Sequence, residues 1–242
     1  LAQINHQVMS AGLNACGFDR NNWVQGGKQG IFEEDNFTSP AYTLRLNYNG
    51  VPGLRVGASF YYCANTAANS DKLVEYSFRA PLRIYTVDAQ YKNSVVTARA
   101  NFMWGSLTNS DRVSSVNTKL SNQSPYTRVV PVAHKAVSYG AEVGLNLAGI
   151  FRGANVPAIY PFARYDYYNP QKQCEGLYIE DHRCEVSKWT AGVNWYALPN
   201  LVIKADYSTR QIGTSKMFGK GKYNSENEFS IGVAYVGWFT KR

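Results

Sequence analysis

The chain has 242 residues, of which 17% are charged and 14% aromatic, and its formal net charge is +8 at neutral pH. A disordered chain would carry few aromatics and much charge, and collagen or a coiled coil would be dominated by Gly or by Ala, Glu, Lys, Leu and Arg, so all three classes are excluded. No stretch approaches the roughly 18 unbroken apolar residues of a membrane helix, which excludes a helical membrane protein but leaves a membrane β-barrel open, since its strands hide their apolar residues in alternation.

Leu1-Ala2-Gln3-Ile4-Asn5-His6 has neither the basic start nor the apolar core of a secretory signal. Either a signal has been removed or the sequence begins inside a longer protein; the strand-like residues directly after Leu1 favour the second. A weak period-two pattern runs through 3–9. Over 42–48, Tyr42, Leu44, Leu46 and Tyr48 oppose Thr43, Arg45 and Asn47, and over 54–62, Leu54, Val56, Ala58, Phe60 and Tyr62 oppose Arg55, Gly57 and Ser59. Over 85–92, Tyr85, Val87, Ala89 and Tyr91 oppose Thr86, Asp88, Gln90 and Lys92. Over 96–104, Val96, Ala98, Ala100, Phe102 and Trp104 oppose Thr97, Arg99, Asn101 and Met103. The run 137–147 sets Val137, Tyr139, Ala141, Val143, Leu145 and Leu147 against Ser138, Gly140, Glu142, Gly144 and Asn146.

The second half repeats the pattern. Ile159, Pro161, Ala163, Tyr165 and Tyr167 oppose Arg164 and Asp166, with Tyr160, Phe162 and Tyr168 also on that second face. Trp189, Ala191, Val193 and Trp195 oppose Lys188, Thr190, Gly192 and Asn194. Leu201, Ile203, Ala205 and Tyr207 oppose Val202, Lys204, Asp206 and Ser208, and Phe229, Ile231, Val233, Tyr235 and Phe239 oppose Glu228, Ser230, Gly232 and Ala234. These make about ten strands, each near the length of a tilted membrane-spanning strand. No helical period competes.

A soluble sandwich also alternates, and three features decide between the two. Aromatics gather at strand ends, where an interfacial girdle belongs. The polar face carries charges at mid-strand, which a dry sandwich core would not accept unpaired. Connections also alternate in length. Short turns lie at 49–53, 92–95 and 197–200, with a slightly longer one at 149–157, whereas long polar loops lie at 10–40, 64–81, 105–135, 169–187 and 211–227. Short turns on one rim and long loops on the other are the outer-membrane arrangement. The predicted fold is an all-β, antiparallel, up-and-down transmembrane barrel forming a single domain over 1–242. The closing run 228–239, alternating and ending on an aromatic, resembles the C-terminal strand signal of bacterial outer-membrane proteins.

A specific resemblance rests on residues 8–62. Val8-Met9-Ser10-Ala11-Gly12-Leu13-Asn14-Ala15-Cys16-Gly17-Phe18 is followed by Gly26-Gly27-Lys28-Gln29, by Ser39-Pro40-Ala41-Tyr42, and by Gly50-Val51-Pro52-Gly53-Leu54-Arg55-Val56-Gly57-Ala58-Ser59-Phe60. This resembles the bacterial outer-membrane porin family that includes the phosphate-selective porins O and P, with Ala11 replacing the Asn that opens the family's N-G-L-N-A-x-G-F stretch. The resemblance implies a trimeric barrel of about sixteen strands, wide enough to hold a water channel, of which this chain would be the C-terminal part. It also implies a bacterial outer-membrane location, contact with lipid and lipopolysaccharide, and small anionic solutes such as phosphate.

If the polar faces line a lumen, Arg45, Arg55, Lys92, Arg99, Arg164, Lys188, Lys204 and Arg210 face Asp88, Glu142, Asp166, Asp206 and Glu228 across it. Excess Arg and Lys in a pore favours anions. The alternative for any one residue is pairing within the wall, such as Arg164 with Asp166 or Lys204 with Asp206. Loop 10–40, with Arg20, Lys28, Glu33, Glu34 and Asp35, is a candidate constriction or trimer contact. Cys16, Cys63, Cys174 and Cys184 are disulfide candidates for an oxidising compartment, with three possible pairings.

No metal or cofactor is expected, because no CxxC pair exists and His182 stands alone beside Cys184. His6, His134 and His182 lie in a strand start and two loops without a nucleophile motif, so no enzymatic activity is expected. Glycine-rich 213–221 lacks phosphate-loop order, and Lys216, Lys220 and Lys222 would meet lipopolysaccharide or anionic solute. Asn36-Phe37-Thr38 matches a glycosylation acceptor by chance. No nucleic-acid recognition motif accompanies the positive charge. The expected function is passive diffusion of small hydrophilic solutes with a mild anion preference; the alternative is a non-conducting barrel serving as an anchor or assembly subunit.

Overall fold

The computed structural model describes residues 2–28, 37–121, 130–151, 158–214 and 223–235. A two-residue repeat collects its apolar members on one side of a strand, whereas a helix would scatter them around its axis. Ten strands follow: β1 (Ala2–Ser10), β2 (Ala41–Tyr48), β3 (Leu54–Cys63), β4 (Leu82–Lys92), β5 (Val96–Leu107), β6 (Lys135–Leu145), β7 (Ala158–Gln173), β8 (Val186–Leu198), β9 (Leu201–Ile212) and β10 (Asn224–Tyr235). They form one sheet in sequence order, every neighbour antiparallel. Among the described residues β1 pairs only with β2 and β10 only with β9, so the sheet is not closed.

The register keeps the two faces separate across the whole sheet. Leu44 lies opposite Phe60, Phe60 opposite Tyr85 and Tyr85 opposite Trp104, and the rings of Phe60 and Tyr85 approach to 4.8 Å. A one-residue slip would exchange the faces of a strand entirely, so the alternation itself fixes the register. Nothing among the described residues covers the apolar face: Trp189 is 61% exposed and Ile231 70%. An uncovered apolar surface of this extent belongs in lipid. Arg83, at the long-loop end of the same face, lies over the Tyr62 ring at 5.7 Å, the rim position where a cation and an aromatic meet headgroups.

Two segments predicted as loop are ordered. β7 continues to Gln173, because its polar residues are buried by hydrogen bonding: Gln171 donates to Pro131 O at 2.6 Å and accepts from Asp181 N at 2.7 Å. A helix, Ser110–Ser121, forms inside the 105–135 connection. Its buried side is Ser110, Val113, Ser114, Val116 and Asn117, more polar than apolar, so it casts no apolar period in the sequence.

Short turns do fall on one rim. At 92–95, Asn93 Oδ1 accepts from Val95 N at 2.8 Å and Val96 N at 2.6 Å. Trp238, Phe239 and Lys216, Lys220 and Lys222 lie outside the described residues, as does 152–157 of the longer turn.

Candidate functional site

Antiparallel register turns the alternation along each strand into rows across the sheet. One row of the polar face reads Asp88, Asn101, Gly140, Asp166, Lys188, Arg210, Glu226. The next, one pleat towards the short turns, reads Arg55, Gln90, Arg99, Glu142, Arg164, Thr190, Ser208, Glu228. Neighbours within and between these rows pair. Arg45 reaches Asp88 at 2.7 Å while donating to Ser59 Oγ at 2.9 Å and Asn47 Oδ1 at 3.0 Å. Arg99 meets Glu142 at 2.9 Å, Arg164 meets Asp166 at 2.6 Å, Arg210 Nε meets Glu226 at 2.9 Å, and Lys188 lies 3.7 Å from Glu228. Half-solvated pairs of this kind are worth at most about 1 kcal/mol each; they shape the wall more than they hold the fold.

All twelve charged positions read as candidates from the sequence, and Glu228, lie on this one face. Arg164 and Asp166 pair as the spacing suggests, but Lys204 and Asp206 do not come within ion-pair distance. Among the described residues Arg55, Lys92 and Lys204 have no carboxylate partner, and neither does Asp206 a cation. Glu226 is an acidic member of the face that sequence reasoning missed; its alternation with Glu228 was the available signal. Cations still outnumber carboxylates.

At the short-turn end, a cavity of about 780 Å³ lies against this face, bounded by Lys92, Arg99, Arg164, Lys204 and the aromatic Tyr160, Phe162 and Tyr196. Tyr160 and Tyr196 meet edge to face at 5.2 Å. Sequence reasoning placed Tyr160 and Phe162 on this face without a role and overlooked Tyr196; the signal was the break in alternation at 159–168.

The long-loop end of the same face is closed over. Here the inward positions turn apolar (Ala41, Cys63, Leu82, Leu107 and Ala136), and the loops bury Ala15, Phe18, Trp23, Val24, Leu73, Phe78, Val113, Val116 and Val132 upon them. This is the main apolar core among the described residues. Trp23 lies so close to Gly105 that a Cβ there would sit 2.0 Å from the indole ring, and its Nε1 donates to Ala133 O at 3.0 Å. Asn117 of the loop helix donates to Ala15 O at 3.1 Å and Phe18 O at 3.2 Å. Residues 11–28 are thereby held across the polar face instead of projecting from the rim.

Arg20 fastens this loop to the β7–β8 connection, reaching Asp181 at 3.0 Å, and Arg183 reaches the same carboxylate at 2.6 Å. The Arg183 hydrogen bond, helped by Arg20, holds the Asp181 carboxyl below the usual range. A depressed carboxyl contributes its stability above the unfolded value near pH 4 and loses it as pH falls through the folded value. Protease nicking within 11–28 is therefore expected to rise below about pH 4, and Arg20→Gln should already show part of that increase at neutral pH. Nicking independent of pH would disconnect Asp181 from the loop. Lys28 is exposed. Glu33, Glu34 and Asp35 lie outside the described residues.

The disulfide expectation is corrected: Cys16, Cys63, Cys174 and Cys184 are all buried and none is disulfide-bonded among the described residues. Each thiol is enclosed in its own packing. Cys63 Sγ lies 3.5 Å from Ser39 O in the loop core. Burial pushes the Cys174 thiol up to about 11 and raises Cys184 as well, keeping both protonated and poorly nucleophilic. Unreduced protein in denaturant should thus take up alkylating reagent at all four cysteines; uptake at only two would restore a bridge.

The family model described as phosphate-selective porin O and P matches residues 158–236, which hold β7 to β10. This is the family that 8–62 resemble, matched at the other end of the chain. No curated protein matches. Among solved structures, the crystal structure of a Pseudomonas aeruginosa FadL homologue aligns with a TM-score of 0.42 at 12% identity, over 97% of this chain and 60% of that one. The chain thus spans less than two thirds of that structure's length. The family match and the ten-stranded up-and-down sheet place the chain in the bacterial outer membrane, with its apolar face towards lipid.

Proposed function

We propose that the chain forms the wall of an outer-membrane pore for passive diffusion of small hydrophilic solutes, with a mild preference for anions such as phosphate. The observation that carries this reading is the excess of unpaired cations on the polar face. Arg55, Lys92 and Lys204 are free of carboxylates among the described residues, whereas Asp206 is the acidic group left without a cation there. A water-filled lumen lined in this way concentrates anions. The family's description as phosphate-selective agrees with that sign.

Loop 10–40 acts as the constriction in this reading, with 11–28 lying over the long-loop end of the wall. The strands and this loop form one domain, and the barrel assembles as a homotrimer whose mass in mild detergent reports the number of copies. A planar-bilayer recording tests the function. Ohmic current with a reversal potential favouring chloride supports the pore; silence from well-folded barrels would establish the second reading, a non-conducting structural barrel, for which the closed loop core is the favouring observation.

A further inference from the structure

Phe162 occupies an unusual place for an apolar ring. It lies on the polar face, at mid-row, and the register sets Gly144 on one side of it and Gly192 on the other. Its ring leans over Gly192, where a Cβ would come within 2.8 Å of Cε1. Two glycines leave one flank of the ring against the backbone and the other without a neighbouring side chain in the row. Tyr160, two residues back on the same strand face, is fixed edge to face against Tyr196. Lipid anchoring does not account for these rings, because the girdle residues of β7 and β8 (Tyr165, Trp189, Trp195) face the other way.

Charge completes the setting. In the Phe162 row the outer member is Lys92, and in the Tyr160 row Lys204 lies beyond Asn194. Neither ammonium group has a carboxylate partner among the described residues. Both border the same cavity of about 780 Å³. Asp206 follows Gly192 in the Phe162 row and stands beside the ring, and the paired Arg99–Glu142 and Arg164–Asp166 share the wall. The free ammonium groups stand three strands from Phe162 at Lys92 and two strands from Tyr160 at Lys204.

We propose that this cavity is a binding subsite for ring-bearing organic anions, the ring lying on Phe162 and Tyr160 and the anionic group meeting Lys92 or Lys204. The inference rests on reading the polar face as the wall of an anion-permeable channel, and it specifies which anions that channel retains. A flat apolar ring face gains from stacking on an aromatic, and a carboxylate or phosphate gains from an ammonium; a ringless anion of equal charge gains only the second. The ring can come from an aromatic acid or from a sugar phosphate, which share this chemistry.

The test uses the native protein in planar bilayers with potassium chloride carrying the current. Benzoate is compared with acetate, and glucose 6-phosphate with inorganic phosphate. The ring-bearing member of a pair should interrupt the current at a concentration roughly threefold to tenfold lower than its ringless counterpart. Preference within the first pair alone identifies aromatic acids, and within the second alone sugar phosphates. Phe162→Leu, which keeps apolar volume without the ring, should abolish the difference, and Phe162→Ala should do the same. Lys92→Gln with Lys204→Gln should weaken ring-bearing and ringless anions alike.

Equal block by both members of both pairs would overturn the subsite. The reversal potential in potassium chloride alone reads the anion preference separately, so the channel reading can fail while ring discrimination survives. Should the barrels be silent, calorimetry of benzoate against acetate in detergent decides: heat from benzoate alone upholds the subsite, and equal heats overturn it.

Discussion

Trp23→Ala is expected to cost the loop core about 3–5 kcal/mol and to widen the mouth of the proposed pore. Trp23 is only 3% exposed, and its ring fills the space that Gly105 leaves in β5. Removing it deletes the apolar burial, opens a cavity that the barrel wall is too stiff to close, and leaves Ala133 O without its donor. The backbone adds to the effect. Trp23 sits at φ 52, in the left-handed region that costs a bulky residue of the order of 1–3 kcal/mol, and that conformation persists because the ring is locked. Asp19 Oδ1, accepting from Asn21 N and Asn22 N at 2.7 Å, shapes the turn that presents it.

The measurement is limited proteolysis of folded protein together with single-channel conductance. Cleavage should appear within 11–28 while the strands stay protected, and conductance should rise. Gly105→Val approaches the same contact from the other side and should reproduce both changes. A Trp23→Ala protein as resistant and as conductive as the parent would show that the loop core does not narrow the pore.

Replacing Arg45 and Arg99 together by Gln should move the reversal potential towards cation preference, as the loss of two positive charges from the wall requires. Arg45 and Arg99 neutralise Asp88 and Glu142, so the substitutions uncover those carboxylates. A unit charge 4 Å from an ion is worth about 1 kcal/mol in bulk water and more beside a protein wall. The ratio of anion to cation permeability should therefore fall roughly fivefold or more. Arg45 is the stronger contributor, because three neighbours hold its guanidinium, whereas Arg99 is held by one carboxylate and is 62% exposed. Adding Asp88→Asn and Glu142→Gln should restore most of the preference, since Arg55, Lys92 and Lys204 remain. An unchanged reversal potential would remove both arginines from the selectivity of the pore.

Much of the wall is legible in the amino-acid order. Period-two alternation fixes strand, face and register together, because a slip of one residue would place Leu44, Phe60 or Val87 in water and Arg45 or Asp88 in lipid. That is why the charged positions of the polar face follow from the sequence. The pairing Arg164–Asp166 is also within reach, being two residues apart on one strand. Arg45–Asp88 and Arg99–Glu142 span strands distant in the chain, and only the row register brings them together.

The mouth is not legible, for a different physical reason. Loops 11–28, 64–81 and 105–135 follow no repeat, and the helix Ser110–Ser121 buries serines and an asparagine whose value lies in hydrogen bonds to Ala15, Phe18 and Val132. Such burial leaves no hydrophobic period to read. The even number of cysteines suggested bridges, but packing encloses each thiol at a strand end or turn. The strands, their two faces and the outer-membrane setting are written in local periodicity, which needs no knowledge of distant contacts. Which charges neutralise each other, where Phe162 finds its glycines, and that the long loops close over the wall are settled only on folding, because each depends on contacts between segments far apart in the chain.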